Sequence, residues 1–488
     1  MVPVVPWNEG VKVLGVPIGQ GSFVARELQA TLKKFEDCLH RLPELGDSYA
    51  AFHILRSCLS TCKILHLLRS LPFDAGYTLA SASQGMLREA FNLIVDVPLS
   101  VQQWALACLP AHHGELGFMD PVTVHPPAVI ASFLSTSAAV QYFALPQNPV
   151  THGELRALTH LDPAAHQLCQ TLRSFMTLGL ALDPDAKSQR DFDSWCKQKT
   201  WSDLGHDFTV RILSESLPLR MRRLRELFAG TNAGLWLNTP TPSKPGTKWA
   251  TADWRAVLQF HLGIPLPLPQ NCNGCGQFQD RYGDHALTCK ACGVYQRHNI
   301  LRDTLANQLS DLGFPCKTEV QLPGSTLVPA DVFVPHFTDD SATAIDVAVV
   351  HPLPLSLTAS ATVTAGVAAE ARASSKVALY QEKCEARAWA YSAFVAETTG
   401  AWNQAAQRVV RQMVKGHAMR SGEDPLETAG IVWGALSSAV ARSVGRQLLR
   451  ACCAEVIPTL PSTSPAALVL KASDPTVVAV GAPFVLPS

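Results

Sequence analysis

The stretch that decides the fold is residues 329–352, which read PADVFVPHFTDDSATAIDVAVVHP. Two parts of it, residues 330–334 and 344–350, alternate with a period of two and are rich in β-branched side chains. This pattern predicts two neighbouring strands. The polar residues 338–341 between them predict a turn. The sequence therefore predicts a β-hairpin at the centre of this part of the chain.

Each predicted strand carries one acid among apolar neighbours, Asp331 on the first strand and Asp346 on the second. A carboxylate in such a setting is costly unless another group pairs with it. A divalent cation bound by both acids would remove that cost, and the cation could activate water for phosphodiester cleavage. Alternatively, both acids reach solvent at the edge of the sheet. This stretch alone favours neither interpretation.

The composition is that of a globular protein with several domains: 488 residues, 47% hydrophobic and 16% charged. The formal net charge is +0, so binding of nucleic acid would need local basic patches. The 14 cysteines form no compact framework, which indicates a reducing compartment. We expect no signal peptide and no transmembrane segment, and therefore a nuclear or cytoplasmic protein without a membrane partner.

A dense basic patch lies in the helical pattern of residues 211–228. Its members are Arg220, Arg222, Arg223 and Arg225. Two interpretations stay open, a solvated helix face and a surface that contacts phosphates. Arg297 and His298, which come just before a later predicted helix, are further candidates for contacts with nucleic acid.

The strongest local motif is C-x2-C-x9-H-x3-C, formed by Cys272, Cys275, His285 and Cys289. Three thiolates and one imidazole suit tetrahedral Zn²⁺, and glycines allow a tight turn at the first pair. Cys292 is a rival for the fourth position, and unliganded cysteines in a reduced protein are the alternative. A site with four protein ligands is closed, so the zinc would be structural rather than catalytic.

The segments around the hairpin predict a small α/β unit with a mixed sheet. A short strand at residues 317–322, which carries Glu319, precedes the hairpin. The other predicted elements are helices at residues 299–312, 367–390 and 403–415, and a strand at residues 391–395. Apolar residues at three- and four-residue spacing support the helices.

Five motifs follow one another along the chain: VLGVPIG, LPxxxGxLGF, CxxC with GDHALTC and RHN, PADV with DVAVVHP, and a later lysine and tyrosine. This order resembles the C-terminal half of reverse transcriptases from non-LTR retrotransposons, in the group that carries a restriction-like endonuclease after the polymerase. The likeness covers about residues 10–140 and 250–415. Each motif alone is weak, but the order of five is fairly specific.

The resemblance implies a multidomain α plus α/β fold. Its parts would be a thumb-like helical region at residues 1–145, a helical connector with the Arg-rich helix at 146–248, a helix with a CCHC zinc knuckle at 249–298, a restriction-endonuclease-like mixed sheet flanked by helices at 299–420, and a weakly helical to disordered tail at 421–488.

The resemblance also implies a PD-(D/E)xK nuclease site, in which Asp331 and Asp346 are the catalytic acids and hold Mg²⁺. The usual lysine two positions after the second acid is replaced by Ala348. Lys376 on the following helix is therefore the candidate for orienting the attacking water or stabilising charge on the phosphate. Glu319 could join the metal site. The alternative for Lys376 is an exposed helix lysine.

The sequence FTDD at residues 337–340 imitates the active-site hairpin of a polymerase. It lies between the two nuclease strands, where Asp-Asp suits a turn, and we expect no polymerase activity from this chain by itself. The expected ligand is DNA, with template RNA as a second candidate and a separate or upstream polymerase segment as a protein partner. Two functions are predicted: a metal-dependent DNA endonuclease, or a non-catalytic nucleic-acid-binding remnant or pseudogene product.

Overall fold

The strands form two sheets among the residues that the structure, a computed structural model, describes. These residues are 6, 9–129, 131–132, 198–230, 232–239, 248–338, 341–353 and 364–452. In chain order the strands are β1 (Val11–Val13), β2 (Val16–Ile18), β3 (Lys317–Val320), β4 (Ala330–Thr338), β5 (Ser341–Val350) and β6 (Trp389–Glu397). β1 and β2 form a hairpin, and the other four form one sheet in the order β3-β4-β5-β6.

The larger sheet is mixed, as predicted. β3 and β5 both pair with β4 in antiparallel register, whereas β5 and β6 are parallel. A parallel pair needs a crossover connection, and the helix Val367–Glu385 lies between these two strands in the chain. The prediction that this helix reaches residue 390 is wrong. The helical run ends before Ala388, whose φ of 55° is left-handed, and β6 begins at Trp389.

Different helices cover the two faces of this sheet. Alanines of β5 and β6 pack against alanines of the helix Val367–Glu385 on one face. Larger apolar side chains of the sheet pack against the helices Val294–Asp311 and Gln404–Ser421 on the other. β5 is therefore buried on both faces, which explains why its second half is a nearly continuous apolar run.

Helices dominate the described residues between β2 and residue 288. Their bounds are Gly21–His40, Ser48–Ser57, Leu65–Ser70, Phe73–Val95 and Val101–Cys108, followed by Gln198–Ser216, Leu219–Phe228, Thr251–His261 and Asp284–Thr288. Phe52, Phe91 and Trp254 are fully buried in their shared core. The rings of Phe52 and Trp254 lie 5.1 Å apart, so the helix before the cysteine motif packs directly on the N-terminal helices.

The helix Pro425–Cys452 is much better formed than the weakly helical to disordered tail predicted for residues 421–488. A stripe of apolar residues with four-residue spacing is fully buried along it. The stripe consists of Val432, Leu436, Val440, Val444 and Leu448. It packs against the helices Thr251–His261 and Val294–Asp311, which makes this segment part of the core. Residues 453–488 lie outside the described residues.

The predicted domain boundaries do not divide the hydrophobic core. One cluster of buried side chains extends from Phe35 to Leu448, and the described residues up to 452 belong to one compact unit. The boundary predicted after residue 298 falls inside the helix Val294–Asp311. Much of the predicted connector, residues 146–248, lies outside the described residues. None of the helices described here is long and apolar enough to cross a membrane.

Candidate functional site

The two predicted catalytic acids lie side by side. Val332 is the registered partner of Ile345, so Asp331 and Asp346 are the next pair across β4 and β5. The Val347 backbone N–H donates to Asp331 Oδ2 at 2.6 Å. Asp331 is 9% exposed and Asp346 is 5% exposed, so the interpretation that both acids reach solvent is wrong.

Lys376 meets the second acid. Its ammonium group pairs with Asp346 Oδ1, and both side chains are largely buried. Ala348, which stands where the resemblance implies a lysine, packs beneath the helix that carries Lys376. The alternative of an exposed helix lysine is therefore wrong, because the Lys376 side chain is largely buried against Asp346.

Tyr391 of β6 is a member of the site that the sequence did not predict. Its hydroxyl donates to Asp346 Oδ2 at 2.7 Å, so both oxygens of this carboxylate are engaged by protein groups. Tyr380, one turn after Lys376, lies with its ring centroid 6.1 Å from that of Tyr391. Position on a strand was the only sequence signal for Tyr391, and it is not specific.

The two acids differ in their protonation behaviour. At Asp346, burial and the neighbouring Asp331 oppose the attraction of Lys376 and raise the pKa to about 6. At Asp331, burial also disfavours the charged form, but the His298 imidazole and the Val347 N–H outweigh it and lower the pKa below its usual value. The pair therefore combines one acid whose pKa is lowered with one whose pKa is raised.

Glu319 and His298 complete the other side of the site. Glu319 lies on β3 across from Asp331, between registered pairs on either side. His298 Nε2 lies 3.4 Å from Asp331 Oδ1. One ligand atom from each of the three side chains lies within 4.8 Å of the others. Arg302, one turn after His298, pairs with Glu319.

The cysteine motif also comes together as predicted. Cys275 Sγ lies 3.3 Å from His285 Nε2, and Cys272 Sγ lies 3.9 Å from Cys289 Sγ. All four ligand atoms lie within 4.8 Å of one another. Two thiolates on one tetrahedral zinc are about 3.8 Å apart, given Zn–S bonds of about 2.3 Å. These four residues can therefore hold a metal such as zinc.

Local hydrogen bonds shape the loop that carries these ligands. Asp280 accepts from the backbone N–H groups of Tyr282, Asp284 and His285, and so fixes the start of the short helix Asp284–Thr288. A Cβ at Gly274 would lie 2.3 Å from the Ala291 side chain, so only glycine fits there.

Cys292 lies close to the motif without joining its four-residue group. Its Sγ is 3.4 Å from Cys272 Sγ. Burial raises the pKa of the Cys292 thiol. At Cys272, burial is outweighed by hydrogen bonds from the Cys275 and Gly274 backbone, and the pKa falls to about 6. The ligand atoms that lie within 4.8 Å of one another belong to Cys272, Cys275, His285 and Cys289, and this geometry leaves Cys292 outside the group.

The arginines of the helix Leu219–Phe228 are engaged within the protein. Arg220 makes a bidentate pair with Asp284 of the metal loop, with N–O distances of 2.7 and 2.6 Å. Arg222 and Arg225 both donate to Ser214. Arg223 pairs with Glu226 at 2.9 Å. Their contact with nucleic acid stays a prediction.

Arg297 was predicted to contact nucleic acid, but it is only 2% exposed. Its guanidinium donates to the carbonyls of Leu287 and Val349 and to the Gln447 side chain. It therefore ties the metal loop, the sheet and the C-terminal helix together, and it cannot reach a phosphate in this structure. His298, predicted for the same role, lies in the carboxylate site instead.

No protein-family model and no curated protein matches this chain. The functional assignment therefore depends on the two clusters described above and on the motif order in the sequence.

Proposed function

We propose that this chain is a retroelement-derived, nucleic-acid-binding protein with a metal-dependent DNA endonuclease site, similar to the C-terminal half of a non-LTR retrotransposon reverse transcriptase. The observation that carries the proposal is the meeting of Asp331, Asp346 and Lys376. These residues come from two strands and the following helix. Acids that can hold a divalent cation and a lysine that can stabilise developing charge are suited to hydrolysis of a phosphodiester.

The residues fit a divalent cation at the Asp331 side of the site. Asp331 and Glu319 offer carboxylate oxygens within 4.8 Å of each other, close to the separation of about 4.2 Å between opposite ligands of one ion. When bound, a divalent cation would lower the pKa of a coordinated water and neutralise charge on the phosphate. Magnesium is the candidate that the resemblance implies.

Lys376 would provide the electrostatic part of the reaction. Asp346 holds its ammonium group, and Tyr391 fixes the other oxygen of Asp346. A cation fixed in advance near the reacting phosphate stabilises the charge that develops during hydrolysis, at little cost in reorganisation. Asp346 would thus position the lysine.

The cysteine motif would support this site structurally. The ligands Cys272, Cys275, His285 and Cys289 leave no open coordination position. Asp284, beside His285, accepts from Arg220 and also lies 3.2 Å from His351 at the end of β5. A zinc ion here would keep the loop fixed between the Arg-rich helix and the sheet.

The test is nicking of supercoiled plasmid by the purified, zinc-loaded chain with added Mg²⁺ or Mn²⁺. We expect Lys376→Met to lower the rate about 10²–10³-fold, as for loss of a charge-stabilising group. The matched control is Lys383→Met, which removes an exposed lysine from the same helix and should leave the rate unchanged. Equal nicking by both folded variants would contradict the proposal.

The runner-up function is binding of nucleic acid without catalysis. A specific feature favours it: the helix Gln404–Ser421 contains no acid and exposes a stripe formed by Arg408, Arg411 and Lys415. Such a surface suits phosphate contacts in a chain of zero net charge. Salt-dependent retardation of DNA without nicking in either metal would support this function over the first.

A further inference from the structure

The carboxylate site offers a set of metal ligands other than the pair Asp331 and Asp346. Asp346 has no free oxygen, because Lys376 pairs with Oδ1 and Tyr391 donates to Oδ2. A cation ligated by Asp346 would compete with Lys376 and Tyr391 for the oxygens of this carboxylate. A metal shared by Asp331 and Asp346 therefore fits this arrangement poorly.

The Asp331 side offers a better set. His298 Nε2 and Asp331 Oδ1 are 3.4 Å apart, which is longer than a good hydrogen bond of about 2.7–3.2 Å. With metal–ligand bonds of about 2.1 Å, neighbouring ligands lie about 3.0–3.5 Å apart and opposite ones about 4.2 Å. The three ligand atoms of His298, Glu319 and Asp331 lie within 4.8 Å of one another.

We propose that His298, Glu319 and Asp331 bind one divalent first-row transition ion such as Mn²⁺, and that Asp346 is not a ligand. This inference rests on the proposed function, which it deepens by assigning the metal and its ligands. The three residues come from the first part of the helix Val294–Asp311, from β3 and from β4. The surrounding secondary structure therefore sets their spacing.

The imidazole decides which metal the site prefers. Mg²⁺ favours oxygen ligands and gives up water reluctantly, whereas first-row transition ions accept nitrogen as well as carboxylate oxygen. Two carboxylates balance the charge of a divalent ion, with the imidazole neutral. Arg302 engages one oxygen of Glu319, so the other oxygen stays available for the metal.

The test is direct binding of Mn²⁺ to the zinc-loaded full chain, followed by electron paramagnetic resonance, to which bound zinc contributes nothing. We expect about one tight Mn²⁺ per chain and a clear preference over Mg²⁺ in competition. Asp331→Asn, Glu319→Gln and His298→Gln should each weaken Mn²⁺ binding at least about 10–100-fold, because even loss of an outer-shell partner has an effect of that size.

Two variants should retain Mn²⁺ binding. Asp346→Asn removes the acid that the shared-cation arrangement requires, and Asp303→Asn removes an exposed acid beside Arg302. Zinc content and a cooperative melt establish that each variant is folded. His298, whose side chain is 26% exposed, provides a second test if the buried acids do not tolerate substitution.

The outcomes separate this inference from the proposed function. Absence of a tight Mn²⁺ site, loss of binding in Asp346→Asn, unchanged binding in folded His298→Gln, or equal affinity for Mg²⁺ would each overturn the inference. Mn²⁺ binding with the expected variant pattern, but without nicking of DNA, would support the metal site while the endonuclease proposal fails.

Discussion

The cysteine loop and the carboxylate site both bring metal-binding side chains close together, but the two regions satisfy these side chains in different ways. In the loop, three sulfur atoms and an imidazole face one another, and hydrogen bonds beyond the cluster fix the turns. In the carboxylate site, Lys376 and Tyr391 already satisfy Asp346 without any metal. If the two proposed metal sites are correct, metal would stabilise the fold in the first region and would serve only chemistry in the second.

The largest expected effect is loss of the first metal. Cys272→Ser should abolish zinc binding and strongly lower the free energy of unfolding, since structural zinc contributes about 10–16 kcal/mol in zinc-finger peptides. Zinc per chain and urea unfolding measure the two effects. The control is Cys38→Ser, at an exposed thiol on the helix Gly21–His40.

Measurement of zinc per chain also decides whether Cys289 or Cys292 is the fourth ligand. Cys289→Ser should lose zinc, whereas Cys292→Ser should keep it, because Cys292 lies outside the four-residue group. Full zinc retention in Cys272→Ser, or zinc loss only in Cys292→Ser, would show that the ligand set is different.

Lys376→Met tests whether protein groups, rather than a metal, stabilise the buried Asp346 in the carboxylate site. The variant leaves Asp346 buried without its cation, which typically costs about 3–5 kcal/mol while the acid is charged. We expect this loss in urea unfolding at pH 8 without added divalent metal. Lys383→Met, on the exposed side of the same helix, should change stability by less than about 0.5 kcal/mol.

The loss of unfolding free energy in Lys376→Met should increase as the pH rises. Burial raises the pKa of Asp346 from its ordinary value of 3.8 to about 6 in the folded protein, and loss of Lys376 would raise this pKa further. The native state then binds more protons than the unfolded state, so stability falls as pH rises from about 4 to above 6. The destabilisation should therefore be small at pH 4. A variant equally destabilised at pH 4 and pH 8 would place the cause in packing instead.

The two regions also differ in how far the sequence predicts them. All four predicted zinc ligands fall between Cys272 and Cys289, so their spacing alone specifies a site. The carboxylate site draws on residues from His298 to Tyr391. The hairpin pairs its two acids, and the family resemblance supplies Lys376. No local pattern identifies His298 or Tyr391 as members of the site. They reach the two acids only because the helix Val294–Asp311 and the strand β6 pack next to the hairpin.

For Arg297 and His298, which were assigned from the sequence to contacts with nucleic acid, helical periodicity contains information about their actual positions. Arg297 is four residues before Leu301 and eight before Leu305, both fully buried, so helical periodicity alone places it on the buried face. His298 and Arg302 have the same four-residue spacing on the adjacent face, which points toward Asp331 and Glu319.

Tyr391→Phe gives the smallest effect and the finest test of the comparison. It removes the donor to Asp346 Oδ2, and hydrogen bonds to charged groups contribute about 1.5–3 kcal/mol. Because Lys376 still pairs with the carboxylate, we expect a loss of about 1–2 kcal/mol at pH 8 in urea unfolding. Tyr380→Phe, which keeps the neighbouring ring, is the matched control and should cost less. If Tyr391→Phe costs nothing, protein groups do not satisfy Asp346 as fully as the contrast with the cysteine loop requires.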